Sequence, residues 1–151
     1  IRPVLAATSH SEASEARYAT EGKRLSIQTW AIIPKIRDVD AFLRSEPTYR
    51  ARVREVHPEV CFYFMAGRRP MSAGKKTAAG RAERLTLLTA HFGESVVKAL
   101  GDRKQLGCAA DDLLDAFVGL WTARRVRSGI AVTLPRTPPR DDYGLPMEMV
   151  A

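Results

Sequence analysis

A chain of 151 residues can bury one core and is too short to suggest several independent domains, so a single domain over 1–151 is the expectation. Apolar residues at 45% and charged residues at 27% are ordinary for a soluble globular protein, and the apolar runs 30–33 and 60–66 are far too short to span a bilayer, which excludes a membrane protein. The 24 Lys plus Arg outnumber the 17 Asp plus Glu by seven and gather at Arg68-Arg69, Lys75-Lys76, Arg81, Arg84 and Arg124-Arg125 with Arg127. Such clusters suit an anionic partner, nucleic acid first, although a solvated basic surface has the same composition.

The first residue is Ile1, and 1–7 has neither the charged flank nor the apolar stretch of a secretion signal, so it reads as a cut edge with sequence expected upstream. Ser11 is placed to cap a helix over 12–21 that Gly22 ends. A second helix is expected over 26–44, with Ile32, Ile36, Val39 and Leu43 on one face, Pro34 kinking or dividing it, and Pro47 closing it. The segment 52–57 stops at Pro58 and reads as the one clear strand, on which Val53, Glu55 and His57 point one way.

Pro58 suits the first turn of a short helix carrying Val60, Phe62, Tyr63 and Met65, which Gly67 closes. The Gly- and Lys-containing stretch 67–76 reads as an exposed loop. A long helix over 77–92 follows, with Ala82, Leu85, Leu88 and Phe92 on one stripe and Gly93 at its end, then a short helix over 94–100. The last helix, 109–127, places Leu113, Phe117, Leu120 and Trp121 on an apolar face and Asp112, Asp115, Ala116, Gly119 and Ala123 on a second, small-residue face. Gly129 stops it, and 130–134 and 147–150 are candidate short strands. Cys61 and Cys108 show neither a CxxC nor a zinc-type spacing, so two buried, reduced thiols in a cytoplasmic protein are expected.

Carboxylates are the preferred ligands of Mg²⁺ and Mn²⁺, and two such ions provide both a nucleophilic water and charge compensation in phosphodiester hydrolysis. One strand acid, Glu55, and two helix acids three apart, Asp112 and Asp115, have the right kinds of position if strand end and helix start meet. Capping and the helix dipole account for Asp111 and Asp112 equally well, and Glu55 has basic neighbours. Asp115 resists that account, because it lies in the second turn, past reach of a cap. His57 shares the expected strand face with Glu55 and is a candidate acid or base, Glu59 has similar standing, and Lys75, Lys76 and Arg124 are candidate phosphate contacts.

The run Arg54-Glu55-Val56-His57-Pro58-Glu59-Val60 is followed by Lys75-Lys76-Thr77 with Gly80-Arg81-Ala82-Glu83-Arg84-Leu85. Then come Asp111-Asp112-Leu113-Leu114-Asp115-Ala116, Trp121-Thr122-Ala123-Arg124 and Gly144-Leu145-Pro146-Met147-Glu148. With Leu25-Ser26-Ile27-Gln28, Pro34-Lys35-Ile36 and Val39-Asp40 before them, these motifs resemble a widespread domain-of-unknown-function family described as predicted RNase H-like nucleases, over nearly the whole chain. Asp112-x-x-Asp115-Ala is also similar to the final helix of Holliday-junction resolvases.

The resemblance implies a helix-rich α+β chain, a partial RNase H-like fold lacking the N-terminal strands and the first catalytic Asp. It implies Glu55, Asp112 and Asp115 as metal ligands, with His57 and Lys75 or Lys76 at the site. The function expected is divalent-metal-dependent cleavage of DNA or RNA by the complete protein, with Mg²⁺ or Mn²⁺ in a two-metal arrangement. The alternative is a non-catalytic member that binds nucleic acid or protein. Self-association through an uncovered edge of the 52–57 strand is a further expectation.

Overall fold

A computed structural model describes residues 2–151. They divide into two compact units, Ile1–Val53 and Arg54–Ala151. The described residues are helix-rich with one small antiparallel sheet, an α+β composition. Among the described residues no helix is long and apolar enough to cross a membrane.

The N-terminal unit holds α1 (Arg2–Ala6), α2 (His10–Glu21) and α3 (Ile27–Ser45), then a single 3-10 turn at Pro47–Tyr49. Ser9 rather than Ser11 caps α2, its hydroxyl accepting from the Glu12 amide, and Gly22 ends the helix at φ 67°, where a side chain would be strained. Ser26 caps α3 through the Thr29 amide. Pro34 does not divide α3, which stays one helix, and it lies on the exposed side, where water can reach the carbonyl it leaves unbonded.

The buried face of α3 is also not the one its apolar spacing favoured. Ile33 is buried with Val4, Ala7, Ala13 and Leu25, Trp30 packs against them, and Arg37 donates to the carbonyls of Leu5 and Ala7. Ile32, Ile36 and Val39 remain exposed. The reason is that α1 and α2 cover the side bearing residues 30, 33 and 37, and a helix can turn only one stripe to its neighbours.

The C-terminal unit contains α4 (Pro58–Met65), α5 (Ala78–Phe92), α6 (Glu94–Asp102) and α7 (Ala110–Arg127), followed by β1 (Thr133–Leu134) and β2 (Met149–Val150). Its core joins Cys61 and Phe62 of α4, Leu88 of α5, Val96 of α6, and Leu114 and Val118 of α7. Pro58 occupies the first turn of α4, Thr77 caps α5 through the Gly80 amide, and Gly93 ends α5. β1 and β2 pair with Thr133 opposite Val150 and Leu134 opposite Met149, and Val132 exchanges both backbone bonds with Ala151.

The expected strand over 52–57 is not formed. After a turn at Ala51 and Arg52 the backbone is irregular, and in this stretch only Glu55 makes a bond towards the sheet, its carbonyl accepting from the Val150 amide at 2.8 Å. A ladder needs successive bonds with a partner in register, and the edge of β2 not used by β1 meets this segment in that single bond. The edge through which self-association was expected is therefore not a strand edge. Arg54 is nevertheless anchored, by an ion pair from its Nε to the buried Glu148 carboxylate at 2.6 Å.

Candidate active site

The acids of α7 divide according to the helix face. Leu114, Val118 and Thr122 are buried, and Asp115, with 17% of its side chain exposed, lies beside that stripe. Asp112 is exposed, as are Ala116 and Ala123. Residues three apart are neighbours about 60° from each other around a helix, and here the boundary between core and solvent runs between Asp112 and Asp115. Asp111, four residues before Asp115, is the half-buried acid one turn below it.

Asp115 meets Lys75. The Lys75 Nζ stands 2.8 Å from Asp115 Oδ2, while Oδ1 of the same carboxylate is buried and has no hydrogen-bond partner among the described residues. The hydrogen bond to Asp115 pushes the Lys75 ammonium above its ordinary value, with further help from the charges of Asp115, Asp111 and Glu59, and against partial desolvation. That direction favours the charged form of Lys75 beside Asp115. The fields of three carboxylates converge on the position it occupies.

The loop that presents Lys75 is built, not merely exposed. Glu83 accepts from the Ser72 amide through both carboxylate oxygens and from the Ala73 amide, and these bonds, the Ser72 amide first, hold its carboxyl below the usual range. Arg84, only 2% exposed, donates through Nη1 to the carbonyls of Ala73 and Gly80 and through Nη2 to both oxygens of Glu59, at 2.9 and 2.7 Å. Its guanidinium also lies 5.4 Å from the ring centre of Phe62. Gly80 is buried against the loop, and a Cβ there would overlap the Gly74 carbonyl.

The remaining sequence candidates lie elsewhere. Glu55 and His57 are exposed on the irregular segment before α4, and His57 supplies the residue that precedes its first turn. Lys76 is exposed, its carbonyl accepting from Arg81. Arg124 stacks 4.8 Å above Phe92, and its neighbour Arg125 stacks 4.6 Å above Trp121. Among the described residues no three His, Cys, Asp or Glu side chains come together so as to hold a metal ion, so Glu55, Asp112 and Asp115 do not form a shared cluster. Glu83, Arg84 and Gly80 were not singled out from sequence as parts of a site. The available signal was a Gly in the first turns of a helix followed at steps of four by Arg84 and Leu88, a costly residue whose usual justification is close approach of another backbone.

No curated protein and no solved structure matches the chain. The family model described as "Protein of unknown function (DUF429)" matches residues 1–140, and the chain belongs to that family.

Proposed function

We propose that this chain contributes the anchoring carboxylate of a divalent-metal-dependent nuclease of RNase H-like type, which cleaves phosphodiester bonds in DNA or RNA. The observation that carries the reading is the Oδ1 atom of Asp115, a buried carboxylate oxygen without a partner beside a position that already holds a cation. A buried acceptor left unmatched is costly, and Mg²⁺ or Mn²⁺ is the kind of ligand that satisfies it. One anchor suffices for a fit, because Mg²⁺ keeps several waters and is commonly held by one or two carboxylates together with substrate phosphates. When bound, such an ion compensates charge on the phosphate and acidifies water.

The chain's own residues fill the other roles. Asp111 and Asp112, at the start of α7, add negative charge within one turn of Asp115. Lys75, Lys76 and Arg124 bind phosphate, and Glu55 and His57 are exposed groups able to accept or deliver a proton. The test compares the full-length gene product with Asp115→Asn, Asp112→Ala and Glu55→Ala on DNA and RNA, with Mn²⁺ or Mg²⁺. Cleavage should fall furthest in Asp115→Asn, and equal cleavage by all four proteins removes the proposal.

A second reading, binding without catalysis, is favoured by the stacked guanidiniums of Arg124 and Arg125 at the basic end of α7. Affinity that falls steeply with salt, needs no metal and is unchanged by Asp115→Asn would select it.

A further inference from the structure

We propose that Lys75 is the resident counter-cation of Asp115 and competes with a divalent ion for that carboxylate, so that an approaching phosphate, by drawing Lys75 away, strengthens ion binding. The inference rests on the reading of Asp115 as a metal anchor and adds a regulator to it.

Three observations support it. Lys75 covers only Oδ2, leaving Oδ1 buried and unmatched, so the pair is an incomplete solution for the carboxylate. The loop backbone is fastened at Ser72 and Ala73 by Glu83, at Ala73 by Arg84 and at Gly74 by Thr77, which leaves the four-carbon stem of Lys75 as the part free to move. The Lys75 side chain is 37% exposed, so water and an incoming anion reach it from one side while Asp115 holds it from the other. An ammonium and a divalent ion repel at such range, hence occupancy by one weakens the other.

By linkage, whatever removes Lys75 from Asp115 tightens the ion, and whatever binds the ion frees Lys75 for phosphate. The experiment measures Mn²⁺ binding to the full chain through the electron paramagnetic resonance signal of free Mn²⁺, for the unaltered protein, Lys75→Met, Asp115→Asn and the double variant. Lys75→Met should bind about tenfold more tightly, a coupling of ordinary size, and both variants carrying Asp115→Asn should lose the ion. Unchanged or weaker binding in Lys75→Met, with loss in Asp115→Asn, overturns the competition while leaving Asp115 as an anchor. No Mn²⁺ binding in any of the four, or equal binding in all, overturns both the competition and the reading beneath it.

Should Lys75→Met fail to fold, as judged by circular dichroism, the unaltered protein provides the second measurement. Its Lys75 ammonium resonance, in ¹⁵N-lysine-labelled protein, should lose protection from exchange on addition of Mg²⁺. A resonance that does not respond at saturating Mg²⁺ overturns the proposal.

Discussion

A guanidinium that is 2% exposed has surrendered nearly all its water, so its N–H groups must be met by protein. In Arg84 the two terminal nitrogens meet Glu59 and the carbonyls of Ala73 and Gly80, whereas Nε remains buried without a partner among the described residues. Breaking a buried ion pair ordinarily costs about 3–5 kcal/mol. Glu59 is 41% exposed and can rehydrate once abandoned, so Arg84→Met should cost less, about 2–3 kcal/mol, read as a lower urea midpoint at neutral pH. A loss below about 0.5 kcal/mol, the range of ordinary surface substitutions, would show that the buried guanidinium does not organise this region. Glu59 and Arg84 are 25 residues apart, and nothing in their separate neighbourhoods announces the pair. Asp115 was legible for a different reason: a carboxylate past the reach of the helix N-terminus needs another explanation for its place.

Between α4 and α5 the chain turns through a loop whose path depends on the absence of a side chain at Gly80. A methyl group there meets backbone, not the yielding end of a side chain, so Gly80→Ala should destabilise by about 1–3 kcal/mol despite the better helix propensity of Ala. The same change should speed hydrogen exchange of the Ser72 amide, which Glu83 now accepts; unchanged stability and exchange would contradict the close approach.

The Lys75–Asp115 tie joins this loop to α7 and makes a pH-dependent contribution with a definite sign. The folded-state value of Lys75 lies above its ordinary 10.5, so its stabilising effect is complete below that value and disappears as pH rises through the higher folded one. Since Lys75 is 37% exposed, the contribution is screened and about 0.2–1 kcal/mol. Accordingly, Lys75→Met should be slightly less stable than the unaltered protein at pH 8, and the gap should close under strongly alkaline conditions. A gap that widened there would reverse the assigned sign.

Each of the two compact units has its own buried cluster, Val4, Ala7, Ala13, Leu25 and Ile33 in the first and Cys61, Phe62, Leu88, Val96, Leu114 and Val118 in the second. The candidate site lies entirely within the second: Glu59, Lys75, Glu83, Arg84, Asp111 and Asp115 all fall in Arg54–Ala151. A fragment spanning 54–151 should therefore fold cooperatively, with helical circular dichroism and a single urea transition, as a cluster joining four helices permits. Fragment chains lacking a cooperative transition would show that this core needs the preceding unit. The buried thiol of Cys61, pushed up by desolvation, offers an internal probe, because it becomes reactive only when that core opens.

Local chemistry fixed most of the helices before any packing was known. Pro58 and Thr77 start helices, Gly22 and Gly93 end them, and each does so through its own dihedral preference or its own side-chain bond to a backbone a few residues away. Asp115 was also identifiable as an unusual residue for its position, whereas Lys75 stood out only as one of several candidate phosphate contacts. Their meeting across 40 residues, the burial of Arg84, the side of α3 that faces inward and the absence of a strand over 52–57 were decided only by the tertiary structure. Each depends on which other element arrives alongside, and a segment's own residues can state its preferences but not choose its neighbour.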